Sequence, residues 1–420
     1  MGLNATPSSE RVHIGFFGRR NAGKSSLVNA VTDQEISVVS DVKGTTTDPV
    51  TKSMELLPLG PVVIIDTPGF DDEGALGEKR VQRAKRVLNK TDLAVLVIDA
   101  RSGAAEADRE LVQLFEEKEI PYLTVCNKSD LIADQETFAQ DLGGKGFRDI
   151  LFVSALTGKG IFELKEEIAK RGRPQSGKIP LIEDLVTPSE IVILVIPIDK
   201  AAPKGRLILP QQMMIRGLLD ADAIPVCVKQ DRLEETLERL AGTGQGADTE
   251  PGLIITDSQV FEEVARVVPE EIPMTSFSIL MARYKGFLDA AVEGAHKIDD
   301  LKDNDLILIS EGCTHHRQCG DIGTVKLPAW IRKKTGASIR FETSSGTGFP
   351  EDLSRYAMII HCGGCMLNDR EMRYRMKCAA DQGVPITNYG TAIAHMKGIL
   401  QRSTQIVMNG KRNENTSTHR

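Results

Sequence analysis

The stretch "VHIGFFGRRNAGKSSLVNAV" (Val12–Val31) passes from an apolar run, through a polar loop bounded by glycines, into a helical pattern. Its centre, "GRRNAGKS" (Gly18–Ser25), fits G-x-x-x-x-G-K-S, and the strand-to-helix context is the one this loop requires. In such a loop the backbone N–H groups from Asn21 through Ala22, Gly23 and Lys24 to Ser25 converge on a β-phosphate at a helix N-terminus. Lys24 would neutralise β/γ charge, and the Ser25 hydroxyl would reach Mg²⁺. Gly18 opens the loop, and Ser26 continues it into the helix.

Four further motifs follow. "GTTTDP" (Gly44–Pro49) offers Thr45 and Thr46 to Mg²⁺. "DTPG" (Asp66–Gly69) ends the next apolar run, where Asp66 suits Mg²⁺ and the Gly69 amide suits a γ-phosphate. "NKSD" (Asn127–Asp130) follows "YLTVC", with Asn127 and Lys128 leading to Asp130. The Asp130 carboxylate accepts both N1–H and N2–H₂ of guanine, a pair that adenine lacks. "SAL" (Ser154–Leu156) follows "LFV", and Ser154 and Ala155 bring a backbone N–H for guanine O6. A chance glycine turn explains one motif, not five in order. The set resembles the tRNA-modification and Era-like branch of the translation-factor-related GTPases, which implies a GTP hydrolase working with GTP, GDP and Mg²⁺. Phe70 follows "DTPG", so the water-orienting glutamine of Ras-type enzymes is absent. Asn21 stands where potassium-dependent relatives hold K⁺ beside the phosphates. The resemblance therefore implies slow hydrolysis stimulated by K⁺, with Lys24, Asn21, Thr46 and Gly69 as the catalytic set.

The remainder of the 420 residues reads as ordinary globular protein, with 41% apolar and 26% charged residues. A net charge of -7 argues against a broad electrostatic grip on nucleic acid. No run reaches membrane-spanning length and the N-terminus lacks a secretory pattern, so a cytoplasmic protein without membrane contact is expected. Strand-like runs alternate with helical patterns in three blocks. The expected architecture is α/β: an N-terminal P-loop domain with a doubly wound sheet over residues 8–172, then two smaller α/β domains over 178–268 and 271–408. The middle block has unbroken apolar strands and no cluster of catalytic residue types. It reads as a scaffold or oligomerisation module whose faces need covering.

Seven cysteines are unevenly spread. Cys126 and Cys227 sit alone in apolar runs and read as small buried hydrophobes. The other five fall in the last quarter, which in a cytosolic chain favours a metal site over disulfides. "EGCTHHRQCG" holds Cys313, His315, His316 and Cys319; "HCGGC" holds His361, Cys362 and Cys365. Each group follows an apolar strand, and in a parallel sheet such strand ends lie on one edge. Cys313 and Cys362, 49 positions apart, are therefore expected to meet. Spacing alone suits zinc and an iron–sulfur cluster equally, and the C-x-x-C pair also fits a redox dithiol.

"CTH" (Cys313–His315) followed by "HCGGC" (His361–Cys365) resembles the C-x-H…H-C-x-x-C signature of the HydF family, the FeFe-hydrogenase maturation GTPases. The order of GTPase block, featureless middle block and cysteine-bearing block is also similar, so the resemblance covers nearly the whole chain. It implies that Cys313, Cys362 and Cys365 ligate a 4Fe–4S cluster with an exchangeable fourth ligand, a place for which His361, His315 and Cys319 are all candidates in this sequence. It further implies a transient 2Fe precursor as cargo, homodimers or larger assemblies, and the FeFe-hydrogenase apo-protein and radical SAM maturases as partners. Cys319 lies outside the family signature and reads as a spectator thiol, and Cys378 as packing. The rival is an RNA- or ribosome-associated GTPase with a structural zinc module. A redox-sensing GTPase cycling "CGGC" as a disulfide is the third reading.

Overall fold

The computed structural model describes residues 6–33, 50–69, 85–172, 179–198, 207–242, 250–312, 321–346 and 348–408. The chain divides into two compact units, residues 1–176 and, apart from residues 368–371, residues 177–420.

The first unit is built on six strands: β1 (Val12–Phe17), β2 (Val50–Leu56), β3 (Gly60–Asp66), β4 (Leu93–Asp99), β5 (Tyr122–Asn127) and β6 (Ile150–Phe152). Their order is β2-β3-β1-β4-β5-β6, parallel throughout except for the β2–β3 pair. The central strands are apolar at nearly every position because both faces are covered. Along β1, Ile14 and Phe16 join Leu27 and Val28 of helix α1 (Lys24–Thr32) in one cluster. Phe17 turns to the other face and meets Phe115 at 5.4 Å between ring centroids. Register sets the edge where function gathers: Phe16 lies opposite Asp66, and Asp99 opposite Asn127. Strand β2, "VTKSMEL", alternates exposed and half-buried residues as an edge strand should. That polar alternation kept it out of the apolar runs legible in the sequence.

The second unit contains two all-parallel four-stranded sheets. One comprises β7 (Ile191–Val195), β8 (Ile224–Val228), β9 (Leu253–Thr256) and β10 (Met274–Ser276), in the order β10-β9-β7-β8. The other comprises β11 (Leu306–Glu311), β12 (Arg340–Ser345), β13 (Met358–His361) and β14 (Ile386–Asn388), in the order β12-β11-β13-β14.

Two expectations need correcting here. The boundary at 268/271 cuts off β10, which pairs with β9 and belongs to the earlier sheet; three residues, "MTS", are too few to show a period. The two sheets share one continuous apolar cluster running from Leu194 and Ile254 through Met281 to Ile307, Ile360 and Ile393. Cys227 is exposed on the edge strand β8, whereas Cys126 is buried as expected. The stretch "TAIAHMKGILQ" forms parts of two helices, Tyr389–Met396 and Leu400–Met408, divided where Gly398 adopts φ +74°.

Candidate functional site

The phosphate loop follows β1 under tight steric control. Gly18 has φ +140°, and a Cβ there would lie 2.3 Å from the Val97 carbonyl oxygen of β4. Gly23 has φ +88° and would collide with Asn127 Nδ2 at 2.3 Å. Both positions therefore admit only glycine. Lys24 is buried and donates from Nζ to the carbonyls of Gly18 at 3.0 Å and Arg19 at 2.8 Å, which keeps the ammonium inside the loop. Asn21, exposed, takes the left-handed conformation at φ +60°. Ala22 is buried and Ser26 half-buried at the helix start.

The Mg²⁺ candidates come together. Ser25 Oγ donates to Asp66 Oδ2 at 2.6 Å. Asp66 is buried, and its Oδ1 has no hydrogen-bond partner among the described residues. A buried carboxylate oxygen in that position demands an explanation, and a hydrated divalent cation supplies one. The oxygen set therefore fits Mg²⁺. Thr67 fixes the turn after Asp66 by donating from Oγ1 to the Phe16 carbonyl at 2.6 Å. At Gly69 a Cβ would stand 2.8 Å from the Arg20 backbone, so that turn closes on the phosphate loop only with glycine. Gly44, Thr45, Thr46 and Phe70 lie outside the described residues.

The base-reading motifs brace the loop from the neighbouring strand. Asn127 donates from Nδ2 to the Ala22 carbonyl at 3.1 Å and accepts at Oδ1 from the Ala155 amide at 3.1 Å. Lys128, at φ +63°, donates to the Asn21 carbonyl and to Asp99 Oδ2, both at 2.7 Å. Asp130 is exposed on the short turn Ser129–Leu131, open to a ligand, and Ser154 is buried with Oγ accepting from Thr157 N–H.

Sequence reasoning missed the supports. Burial pushes the Asp99 carboxyl up, but hydrogen bonds from Arg101 and Lys128 outweigh it and hold the pKa at about 2. Arg19 Nε donates to the buried Asp108 Oδ2 at 3.0 Å, pinning the loop to the start of the helix Glu106–Glu117. Only the acid ending "LVID" gave a signal for Asp99, and nothing local marked Asp108.

The second candidate site lies at the C-terminal ends of β11 and β13. Ser310 stands opposite His361, and one residue further the Cys362 amide donates to the Ser310 carbonyl at 2.9 Å. Cys362 Sγ then accepts from the Gly312 amide at 3.1 Å and the Gly364 amide at 3.4 Å. Burial pushes the Cys362 thiol up, and these two amides pull it back. Gly364, at φ +67°, makes the C-x-x-C turn, and a Cβ at Gly312 would clash with Leu367 at 2.7 Å. Cys365 is half-buried against the apolar core, and Cys378 packs on the outer cluster of the last sheet.

Gly312, whose amide lies on the Cys362 sulfur, directly precedes Cys313 in the sequence. Cys313, His315, His316 and Cys319 themselves lie outside the described residues. Among the described residues no group of three His, Cys, Asp or Glu side chains is placed to hold a metal ion. A sulfur held by two backbone donors at a glycine turn suits a metal-bound thiolate, so Cys362 fits the part of a ligand in an iron–sulfur or zinc site.

His361 is the correction. It is fully buried with both ring nitrogens engaged, Nδ1 at 2.7 Å from the Cys362 carbonyl and Nε2 at 3.0 Å from Arg375 Nη1. Burial, then the Arg375 charge, lower its pKa to about 3. Its ring is committed to the protein interior and is not offered as a ligand.

A glycine-bounded phosphate loop, a Ser25–Asp66 pair and a base-reading brace together define a P-loop GTPase domain, here followed by two parallel α/β sheets. Residues 13–128 match the 50S ribosome-binding GTPase family. Residues 181–286 match the hydrogen maturase F dimerization domain and residues 289–406 its tetramerization domain; together these two span more than half of the chain. The chain belongs to the hydrogen maturase F family. Similarity to curated proteins is partial. GTPase Der of Kosmotoga olearia is 29% identical over 51% of this chain and 51% of its own length. The tRNA modification GTPase MnmE of Aquifex aeolicus is 38% identical over 39% of this chain and 35% of its own. The chain thus spans about half or less of these relatives. A solved structure of Era from Aquifex aeolicus is 21% identical, covering 53% of this chain and 96% of that one at a TM-score of 0.36.

Proposed function

We propose that the chain hydrolyses GTP and serves as scaffold and carrier for the diiron precursor of the FeFe-hydrogenase active site, on a 4Fe–4S site held by Cys313, Cys362 and Cys365. One observation carries this reading: the Gly312 amide lies on the Cys362 sulfur, in a chain whose last two segments match hydrogen maturase F. A 4Fe–4S cluster, when bound, supplies one iron with an exchangeable position, which a carrier of a diiron cargo needs. The protein's own part is to hold three sulfurs, with the Gly312 and Gly364 amides shielding Cys362.

In the nucleotide half, the amides of residues 21–25 cradle the phosphates, Lys24 neutralises charge at the β/γ bridge, and Asp130 selects guanine. Ser25, Thr46 and Asp66 would hold Mg²⁺, which would supply positive charge against the phosphates. Asn21 holds K⁺ in place of an arginine finger, so hydrolysis is slow and faster in K⁺. The chain divides functionally into a GTP-binding part over residues 8–172, a dimerisation part from residue 178 through β10, and a cluster-binding part that follows it to residue 408. The edge strand β8 supports a homo-oligomer: it leaves Ile224 48% exposed on an unpaired edge, and edges of this kind are normally covered. Partners are the apo-hydrogenase and the radical SAM maturases, in the cytoplasm; among the described residues no helix is long and apolar enough to cross a membrane.

Anaerobic reconstitution with iron and sulfide tests the reading, with analysis by metal quantification and EPR. Wild type and Cys319→Ala should hold a cluster, whereas Cys362→Ala should lose it. A colourless wild type carrying stoichiometric zinc would overturn it in favour of the RNA-type GTPase.

A further inference from the structure

The helix Asp369–Asp381 buries the side chain of Arg375 completely, one of the largest side chains with no exposure. Its guanidinium stacks over the Phe349 ring at 5.0 Å, donates from Nη2 to the Gly346 carbonyl, and reaches Ser310 Oγ at 3.2 Å from Nη1. The same Nη1 meets His361 Nε2 at 3.0 Å. An arginine keeps its charge in proteins and has donors only. The nitrogen facing it must therefore be the bare, accepting nitrogen of the imidazole. On the ring's other side, Nδ1 faces the Cys362 carbonyl at 2.7 Å, which only accepts. Nδ1 must then carry the proton. The two neighbours fix the neutral Nδ1–H tautomer from opposite sides.

We propose that Arg375 is a positioning residue for the cysteine site: through the Nδ1–H tautomer of His361 it clamps the Cys362 carbonyl, and it sets a permanent positive charge behind the C-x-x-C loop. Cys362 is then anchored at every polar group, its N–H on Ser310, its carbonyl on His361 and its sulfur on two amides. His361 serves the site by orientation and does not bind iron. The clamp stands on geometry alone; only its service to a cluster rests on the function proposed above.

The test uses the full chain with ¹⁵N-labelled histidine, read by long-range ¹H–¹⁵N correlation before any metal is added. There are seven histidines, and His361→Asn identifies the signal that disappears. In wild type His361 should be the Nδ1–H tautomer at neutral pH; an Nε2–H tautomer or an even mixture overturns the proposal without the need for any variant. Arg375→Lys retains a donor and should keep the pure Nδ1–H tautomer, while Arg375→Met leaves only the Cys362 carbonyl to select it and should admit a measurable Nε2–H fraction; a pure Nδ1–H tautomer in Arg375→Met also overturns the proposal. After reconstitution, loss of the buried charge in Arg375→Met should shift the midpoint potential downward relative to Arg375→Lys. Equal potentials would overturn the claim that the charge is felt at the sulfurs. If wild type forms no cluster, the function proposed above fails while the tautomer result stands.

Discussion

The phosphate loop and the cysteine loop both lie just past the C-terminal ends of parallel strands, yet they are assembled by opposite means. The first is contiguous: eight residues carry the amides, the lysine and the hydroxyl, and two glycines forced by Val97 and Asn127 fix its path. The second is assembled by register. The arms of the signature stand 49 positions apart, and only the pairing of Ser310 with His361 brings Gly312 onto the Cys362 sulfur. A contiguous site fails one function at a time, whereas a site made by register fails when the strands slip.

The largest effects should therefore be reciprocal losses. Lys24→Ala removes the cation beside the transferred phosphoryl group and should lower single-turnover GTP hydrolysis by about 10³-fold, leaving iron retention after reconstitution unchanged. Cys362→Ala should abolish iron retention and leave hydrolysis within about twofold. If either variant loses both activities, the two sites are not independent, and the contrast drawn above breaks.

Base recognition ranks next. Asp130 is exposed, so Asp130→Asn should leave folding intact. An amide cannot accept both guanine donors, and loss of a charge-assisted pair costs about 2–3 kcal/mol. GTP affinity should fall about 10²-fold in a direct binding assay, with phosphate-loop geometry retained. An unchanged Kd would mean that Asp130 does not read the base.

How much was legible follows the same division. Every strand of the first sheet except β2 could be read from apolar runs, and four of the five nucleotide motifs fall where their strands end. Their chemistry is written in adjacent residues. The supports were not legible, because Asp108 meets Arg19 and Asp99 meets Lys128 across long stretches of chain, and their types are common on any surface. In the cysteine site the pairing of two strand ends was readable, since parallel strands align their C-terminal edges. The role of His361 was not: whether a ring turns outward to a metal or inward to an arginine depends on residue 375, a helix position with no local mark. The short strand β10 and the break at Gly398 escaped for a plainer reason, too few residues to show a period.

A smaller effect concerns the cation proposed at Asn21, whose left-handed backbone presents an exposed side chain beside the loop. Hydrolysis should be about tenfold faster in K⁺ than in Na⁺ at matched ionic strength, and Asn21→Ala should erase the difference while slowing the K⁺ rate to the Na⁺ level. Equal rates in the two salts for wild type would assign charge stabilisation to another group and make the loop less self-contained than its contiguity suggests.

The smallest effect lies in the supports. Asp99 holds Lys128 and Arg101, and the Lys128 ammonium in turn holds the Asn21 carbonyl. The Asp99 carboxyl sits at about 2 when folded, against about 3.9 for an unfolded aspartate. A depressed folded value means that the carboxylate adds stability fully above pH ~4, and that this stability is lost as pH falls through the folded value. Lys128 and Arg101 are partly exposed, so solvent screening reduces the contribution to roughly 1 kcal/mol. Asp99→Asn should therefore weaken hydrogen-exchange protection of the β4 and β5 amides about fivefold at pH 7. The gap between variant and wild type should narrow steadily below pH ~4, while β11 and β13 remain unaffected throughout. A gap that persists undiminished to pH 2 would show that Asp99 stabilises the loop by shape rather than by charge.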